Sequence, residues 1–370
     1  MIALPAATTP AAPHDRPEAL AYFVHVRERF ARAAGATGGV IERSFLVGGC
    51  GLRLRFAGAA LVPLLTPALT HLACAPEALP ADATLTVEAW DSASTGGTAP
   101  SPGWSVADRL PRGEVRGYEA ADSRIRAAYH DDHGAISLLD AATGAGVFYA
   151  RDARGIAPYE TASPLRVILH WWLAGRARRF IHGGAVGTPE GGVIIVGRGG
   201  SGKSTSCLAC LAAPETGLRY AGDDYGLLEE GAEPRVHSLY ASAKLHTDQF
   251  WRVPRLADLA ARADGADEAK TILLLHDRFP ERLIASFPLR AVLVPRIVGG
   301  PTTRLRPTSA GVALTALAPS TIFQLAGADG AALRAMRAVV EAVPAYLLEL
   351  GEETAQIPEL IAALLAGGRG

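Results

Sequence analysis

Lysine is nearly absent from this chain. Of 36 basic residues in 370, three are lysines, Lys203, Lys244 and Lys270. A sequence that otherwise relies on arginine keeps a compact ammonium where a point charge is wanted. Lys203 and Lys244 therefore become candidates, whereas Lys270, beside Glu268 in a polar stretch, reads as surface. Net charge is equally scarce: the formal charge is −1, which gives no electrostatic case for nucleic acid or an anionic membrane as a partner. The uncharged run 57–75 is broken by Pro63 and Pro67 and is too short to span a bilayer. No basic start followed by an apolar core opens the sequence, so a cytoplasmic location is expected. There are four cysteines. Cys207 and Cys210 form a C-x-x-C with no second pair to complete a zinc site, and on a helix they would share one face as small core residues.

What is present is ordinary for a globular protein, with 49% hydrophobic and 20% charged residues, and long enough for two domains. Residues 1–15 are rich in Ala and Pro and are expected to be disordered. Residues 16–160 read as a smaller N-terminal α+β domain rich in antiparallel strands. It has a helix over 17–34, a hairpin of 42–47 and 52–57, a strand at 84–91, and a meander of 124–130, 135–140 and 146–150. Its His130, Asp131, Asp132, His133 cluster has metal-like letters but sits on a hairpin turn, where Asp is expected for backbone reasons. Residues 161–370 read as a second domain opening with an apolar helix over 164–176. Strands at 192–196, 218–222, 226–229, 271–275, 289–294 and 345–349 follow, with a polar helical insertion near 255–268. Helices over 309–317 and 331–343, and a last one, complete it. No internal repeat is evident.

The chemistry concentrates at 197–204, GRGGSGKS, which fits the G-x-x-x-x-G-K-[ST] phosphate loop. Gly197, Gly199, Gly200, Ser201 and Gly202 let the backbone wrap a triphosphate with its N–H groups inward. Lys203 adds a charge for the β- and γ-phosphates, and Ser204, followed by Thr205, offers a hydroxyl to Mg²⁺. A strand enters this loop and a helix leaves it, so a helix N-terminus faces the phosphates. The expected ligands are ATP and Mg²⁺.

The arms of FIHGGAVGTPEGGVIIVG pair about a TPEG turn, which sets Gly187 opposite Gly192 and His182 opposite Gly197. An antiparallel hairpin thus feeds the loop, unlike the parallel strand of Ras-like NTPases. Beyond the helix, Asp223 and Asp224 end a short strand. One can serve the metal and the other can accept a proton from a hydroxyl, because consecutive strand side chains point apart. In VHSLYASAKL a strand would put Tyr240, Ser242 and Lys244 on one face, a row able to grip a phosphate or an acceptor.

Together, IHGGAV, GRGGSGKST, AGDDY and SLYASAKL resemble the catalytic domain of HPr kinase/phosphorylase and related bacterial serine kinases, including those that act on lasso-peptide precursors. The resemblance covers roughly 165–350. It implies a phosphoenolpyruvate carboxykinase-like P-loop kinase fold, a mixed α+β or α/β arrangement, and ATP-dependent phosphorylation of a serine. By motif position it implies that His182 is the active-site histidine, Asp223 the catalytic base and Asp224 the metal-side aspartate, with Lys203 and Ser204 in the loop. The E-x-R-G stretch that supplies an acidic metal contact in HPr kinase/phosphorylase is absent, and the N-terminal half does not match that enzyme's own. The missing E-x-R-G stretch weighs against phosphorolysis and against HPr as acceptor. A peptide or protein serine, a small hydroxylated metabolite, or a nucleotide-driven regulatory or assembly role stay open, as does a homo-oligomer.

Overall fold

The computed structural model describes residues 17–131, 134–256, 266–267, 270–325 and 330–367. The N-terminal tail, Asp132, His133, Glu268 and most of the 255–268 insertion lie outside the described residues. The chain is mixed α/β with mixed sheets. Helix α1, Pro17–Ala36, buries Ala19, Phe23, Val26, Phe30 and Ala33 at helical spacing, which puts one apolar stripe against a sheet.

That sheet holds β1 (Val40–Val47), β2 (Cys50–Ala57), β3 (Thr84–Asp91), β4 (Ile125–His130), β5 (Ala135–Asp140) and β6 (Ala145–Ala150), in the order β1-β2-β3-β6-β5-β4. The β1–β2 hairpin and the β4–β5–β6 meander are antiparallel. The β2–β3 and β3–β6 pairs are parallel. The antiparallel expectation therefore fails at the centre of the sheet. Parallel neighbours need long crossovers; that from β2 to β3 is built from short helical turns with no readable period, and that from β3 to β6 runs through β4 and β5.

A second sheet contains β7 (Arg178–His182), β8 (Gly184–Thr188), β9 (Gly191–Ile195), β10 (Arg219–Gly222), β11 (Tyr225–Glu229), β12 (Arg235–Ser238), β16 (Ser286–Ile297), β17 (Arg304–Thr308) and β18 (Ala345–Leu350). Strands β13 (Ser242–His246), β14 (Ala266–Asp267) and β15 (Lys270–Leu274) form a third, small sheet. Central strand β9 is buried along its whole length, because helices cover both faces. On one face, α3 (Lys203–Leu211) and α6 (Gln356–Gly367) bring Leu208, Leu211, Ile357 and Ile361 onto Val193 and Ile195. On the other, α4 (Ala310–Ile322) and α5 (Gly330–Ala342) bring Leu317 and Val339 onto Ile194 and Val292.

Helix α2, Arg166–Ala174, joins the two halves. Its Leu169 and Trp172 share a single core cluster with Leu52 and Phe148 of the first sheet and Phe180 and Leu227 of the second. Each such fully buried side chain contributes about 1.5–3 kcal/mol. Cys207 and Cys210 are buried free thiols. Cys207 packs against Gly184, where a Cβ would collide with its sulfur, and burial pushes the Cys210 thiol up to about 12.

His71 carries a stability prediction. It lies in the turn Pro67–Leu72, its Nε2 is 2.6 Å from the Ser238 hydroxyl, and its buried Nδ1 has no protein partner. Burial, helped by the nearby His276, pushes its pKa down to about 3. The neutral ring is thus part of the fold, while the unfolded chain takes up a proton near pH 6.5. Its contribution is fully present above that pH and is lost progressively as pH falls towards 3. Going from pH 8 to pH 5 should remove about 2 kcal/mol through this residue. Thermal unfolding of His71→Gln at both pH values should show a smaller acid sensitivity than wild type, and an identical loss in both would exclude the effect.

Candidate active site

The TPEG turn holds the register the sequence implies, with Gly187 opposite Gly192 and the hairpin running from Thr188↔Gly191 to Gly184↔Ile195. There it ends. At Gly183 the chain crosses over, where a Cβ would press on the Ile195 carbonyl, and β7 pairs instead with β11. His182 therefore sits opposite Tyr225 and not opposite Gly197. It still reaches the loop, since His182 and Gly197 line the same cavity. On its far side, β9 is flanked by β16 in parallel, so one antiparallel and one parallel neighbour feed the loop.

The loop joins β9 to α3. Gly200 and Gly202 adopt φ of +75° and +103°, which only glycine takes without strain. At Gly202 a side chain would also strike Leu350. Lys203 is 7% exposed, and its ammonium donates to the carbonyls of Gly197 at 2.8 Å and Arg198 at 3.0 Å. Burial lowers its pKa, while Asp223 and Asp224 pull the other way. The Ser201 hydroxyl is buried without a partner, whereas Ser204 and Thr205 are partly exposed at the start of α3.

Asp223 and Asp224 occupy the turn between β10 and β11. Asp223 is 2% exposed. Its Oδ2 accepts the Lys244 backbone N–H at 3.1 Å, and its Oδ1 is buried without a hydrogen bond of ordinary geometry. Burial and then the Asp224 charge push its pKa up to about 6, against the pull of the Ser204 hydroxyl, the Lys244 N–H and Lys203. Asp224 is more open. Its Oδ1 lies 3.0 Å from His182 Nε2 and its Oδ2 accepts from Lys244 Nζ at 2.8 Å. Burial would raise this carboxyl, but His182 and Lys244 outweigh it and hold the pKa far below the carboxylate range.

In the row Tyr240, Ser242 and Lys244, the two hydroxyls are engaged within the fold. Tyr240 precedes β13 and its hydroxyl donates to the Pro164 carbonyl at 2.8 Å. Ser242 donates to the Ala162 carbonyl at 2.6 Å. Both are buried and tie β13 to the segment before α2, so their hydroxyls are spent on backbone. Lys244 alone reaches the aspartates. Lys270 is half-buried on β15, opposite His246.

A cavity of about 1230 Å³ opens over the loop. Arg198 and Arg296 line it, and its apolar wall is Ile297, Val312 and Phe323, exposed by 61%, 42% and 73%. No motif or periodicity marks these three, because their neighbourhood exists only once α4 packs beside β16. Exposed apolar side chains gathered at a polar loop suit a planar ring. Magnesium is ordinarily held by one or two carboxylates together with substrate phosphates. Ser204 and the two aspartates, including the unsatisfied Asp223 Oδ1, supply fitting oxygens. Among the described residues no helix is long and apolar enough to cross a membrane.

No known family profile matches the chain, and no curated protein matches it. Among solved structures it is similar to the Hpr(Ser) kinase/phosphatase from Coxiella burnetii, at 14% identity over 52% of this chain and 96% of that one, with a TM-score of 0.28. This is a distant structural relationship that assigns neither activity nor substrate.

Proposed function

We propose that this chain is an ATP-dependent phosphotransferase that moves the γ-phosphate to a hydroxyl, in the first instance a serine of a peptide or small protein. The observation that carries the reading is the convergence of a glycine-turned phosphate loop, with Lys203 and Ser204, on a paired aspartate turn braced by His182 and Lys244. A phosphoenolpyruvate carboxykinase-like catalytic region over 161–370 accords with the hairpin-fed loop. In the reaction, the acceptor oxygen bonds to the γ-phosphorus, the bond from that phosphorus to the β,γ-bridging oxygen breaks, and the hydroxyl proton passes to a carboxylate. Bound Mg²⁺ would neutralise charge on the phosphates. Lys203 turns from its own loop carbonyls to the β- and γ-phosphates, Ile297, Val312 and Phe323 take the base, and Asp223 accepts the proton. His182 and Lys244 hold Asp224 ionised, so that it would serve as a metal ligand. The pull of the Ser204 hydroxyl on the Asp223 carboxyl fits a second assignment of the pair, with Asp223 at the metal and Asp224 at the acceptor.

Radiolabelled ATP with Mg²⁺ and serine-containing peptides tests the reading, with label expected in the acceptor. Lys244→Ala should lower transfer about tenfold or more while ATP affinity stays near wild type, since a charge-assisted bond to Asp224 is lost. Lys270→Ala should match wild type. Equal activity of the two lysine variants would return Lys244 to a purely structural role.

A further inference from the structure

A second cavity, of about 460 Å³, lies between the two halves of the chain. Among the described residues its wall carries three arginines, Arg109, Arg112 and Arg166, and no aspartate or glutamate. We propose that it is the anion subsite of the phosphate acceptor, which binds a carboxylate on the same molecule as the reacting hydroxyl. As an acceptor site this rests on the phosphotransferase reading.

The arginines are held in place but leave donors for a ligand. Arg112 donates one N–H to the Leu325 carbonyl at 2.6 Å. Arg109 lies 3.7 Å from the Asp131 carboxylate, a loose pairing. Arg166 donates to the Tyr225 hydroxyl at 2.6 Å, and its guanidinium stacks 5.1 Å from that ring. The residue before it, Leu165, has φ of +57°, and its N–H is gripped by the buried Glu160 carboxylate at 2.9 Å. A non-glycine residue in that conformation persists only where its surroundings enforce it, so the first turn of α2 aims Arg166 by a strained joint. Guanidinium forks match carboxylates in bidentate geometry. Three of them around one cavity, with donors left over after the Asp131 and Leu325 contacts, suit an anionic ligand.

Continuity with the phosphate cavity makes this an acceptor site. Gln324 lines both cavities. The Tyr225 hydroxyl, which accepts from Arg166, donates to Gln324 Oε1 at 3.0 Å, and the Tyr225 ring lies 5.8 Å from that of His182. His182 in turn holds Asp224. An acceptor anchored by its carboxylate on the arginines thus has the aspartate pair and the nucleotide cavity as its next neighbours, across Gln324 and Tyr225.

The test is titration of sodium malonate, and separately of its neutral analogue malonamide, into the full chain with and without saturating Mg·AMP-PNP. Wild type should bind malonate and not malonamide. Arg109→Ala/Arg112→Ala should weaken malonate about tenfold or more with AMP-PNP affinity unchanged, and Arg109→Gln, a milder change at an exposed side chain, about threefold. Lys203→Ala should leave malonate binding intact, which separates this site from the phosphate loop. No malonate binding in the presence of bound nucleotide, equal binding of malonamide, or unchanged malonate affinity in both arginine variants would overturn the proposal. Failure of AMP-PNP to bind alongside the expected malonate pattern would overturn the phosphotransferase reading and leave an anion site standing.

Discussion

Lys203→Ala should abolish phosphoryl transfer, with a loss of about a hundredfold or more, the scale seen when one preorganised donor to developing charge is removed. The ammonium is buried and spends its bonds on two carbonyls of its own loop, so a bound triphosphate offers it a far better partner. Alanine leaves those carbonyls, and the phosphates, without a counter-charge in a site of low water content. Affinity for Mg·AMP-PNP should fall as well, by about tenfold. Isothermal titration gives the affinity and a single-turnover assay the transfer rate. Unaltered turnover would end the phosphate-loop reading.

The aspartate pair gives the second large effect. Asp223→Asn should keep Mg·ATP binding and lose about a hundredfold or more in transfer, because the acceptor proton then has no base. Asp224→Asn should instead raise the Mg²⁺ concentration needed for half-maximal activity, since the carboxylate that His182 and Lys244 hold ionised is replaced by a neutral amide. If the pull of Ser204 on Asp223 decides the roles, the two phenotypes exchange. Identical Mg²⁺ dependence and identical residual rates in both variants would exclude any division of labour between them.

What the sequence by itself determined is what short-range backbone chemistry can encode. The glycine turn between a strand and α3 was readable at 197–204, and the TPEG turn fixed Gly187 opposite Gly192. Periodicity placed α1, and strand β3 falls at its expected limits. The spacing of Cys207 and Cys210 marked one buried helix face. Tertiary structure decided everything that depends on which faces bury together. Parallel β2–β3–β6 pairing is a choice of neighbours that no period within the strands records. His182 lost its expected partner because the chain changes neighbours at Gly183, and β7 pairs with β11. Tyr240 and Ser242 turned to backbone carbonyls because buried hydroxyls must be satisfied, which left Lys244 alone to meet Asp224 twenty residues away in sequence. The wall of Ile297, Val312 and Phe323 and the arginine-lined cavity carry no motif at all. They arise where α4 and the α2 joint bring distant segments to one place, and side-chain identity at such points is set by geometry that no local pattern records.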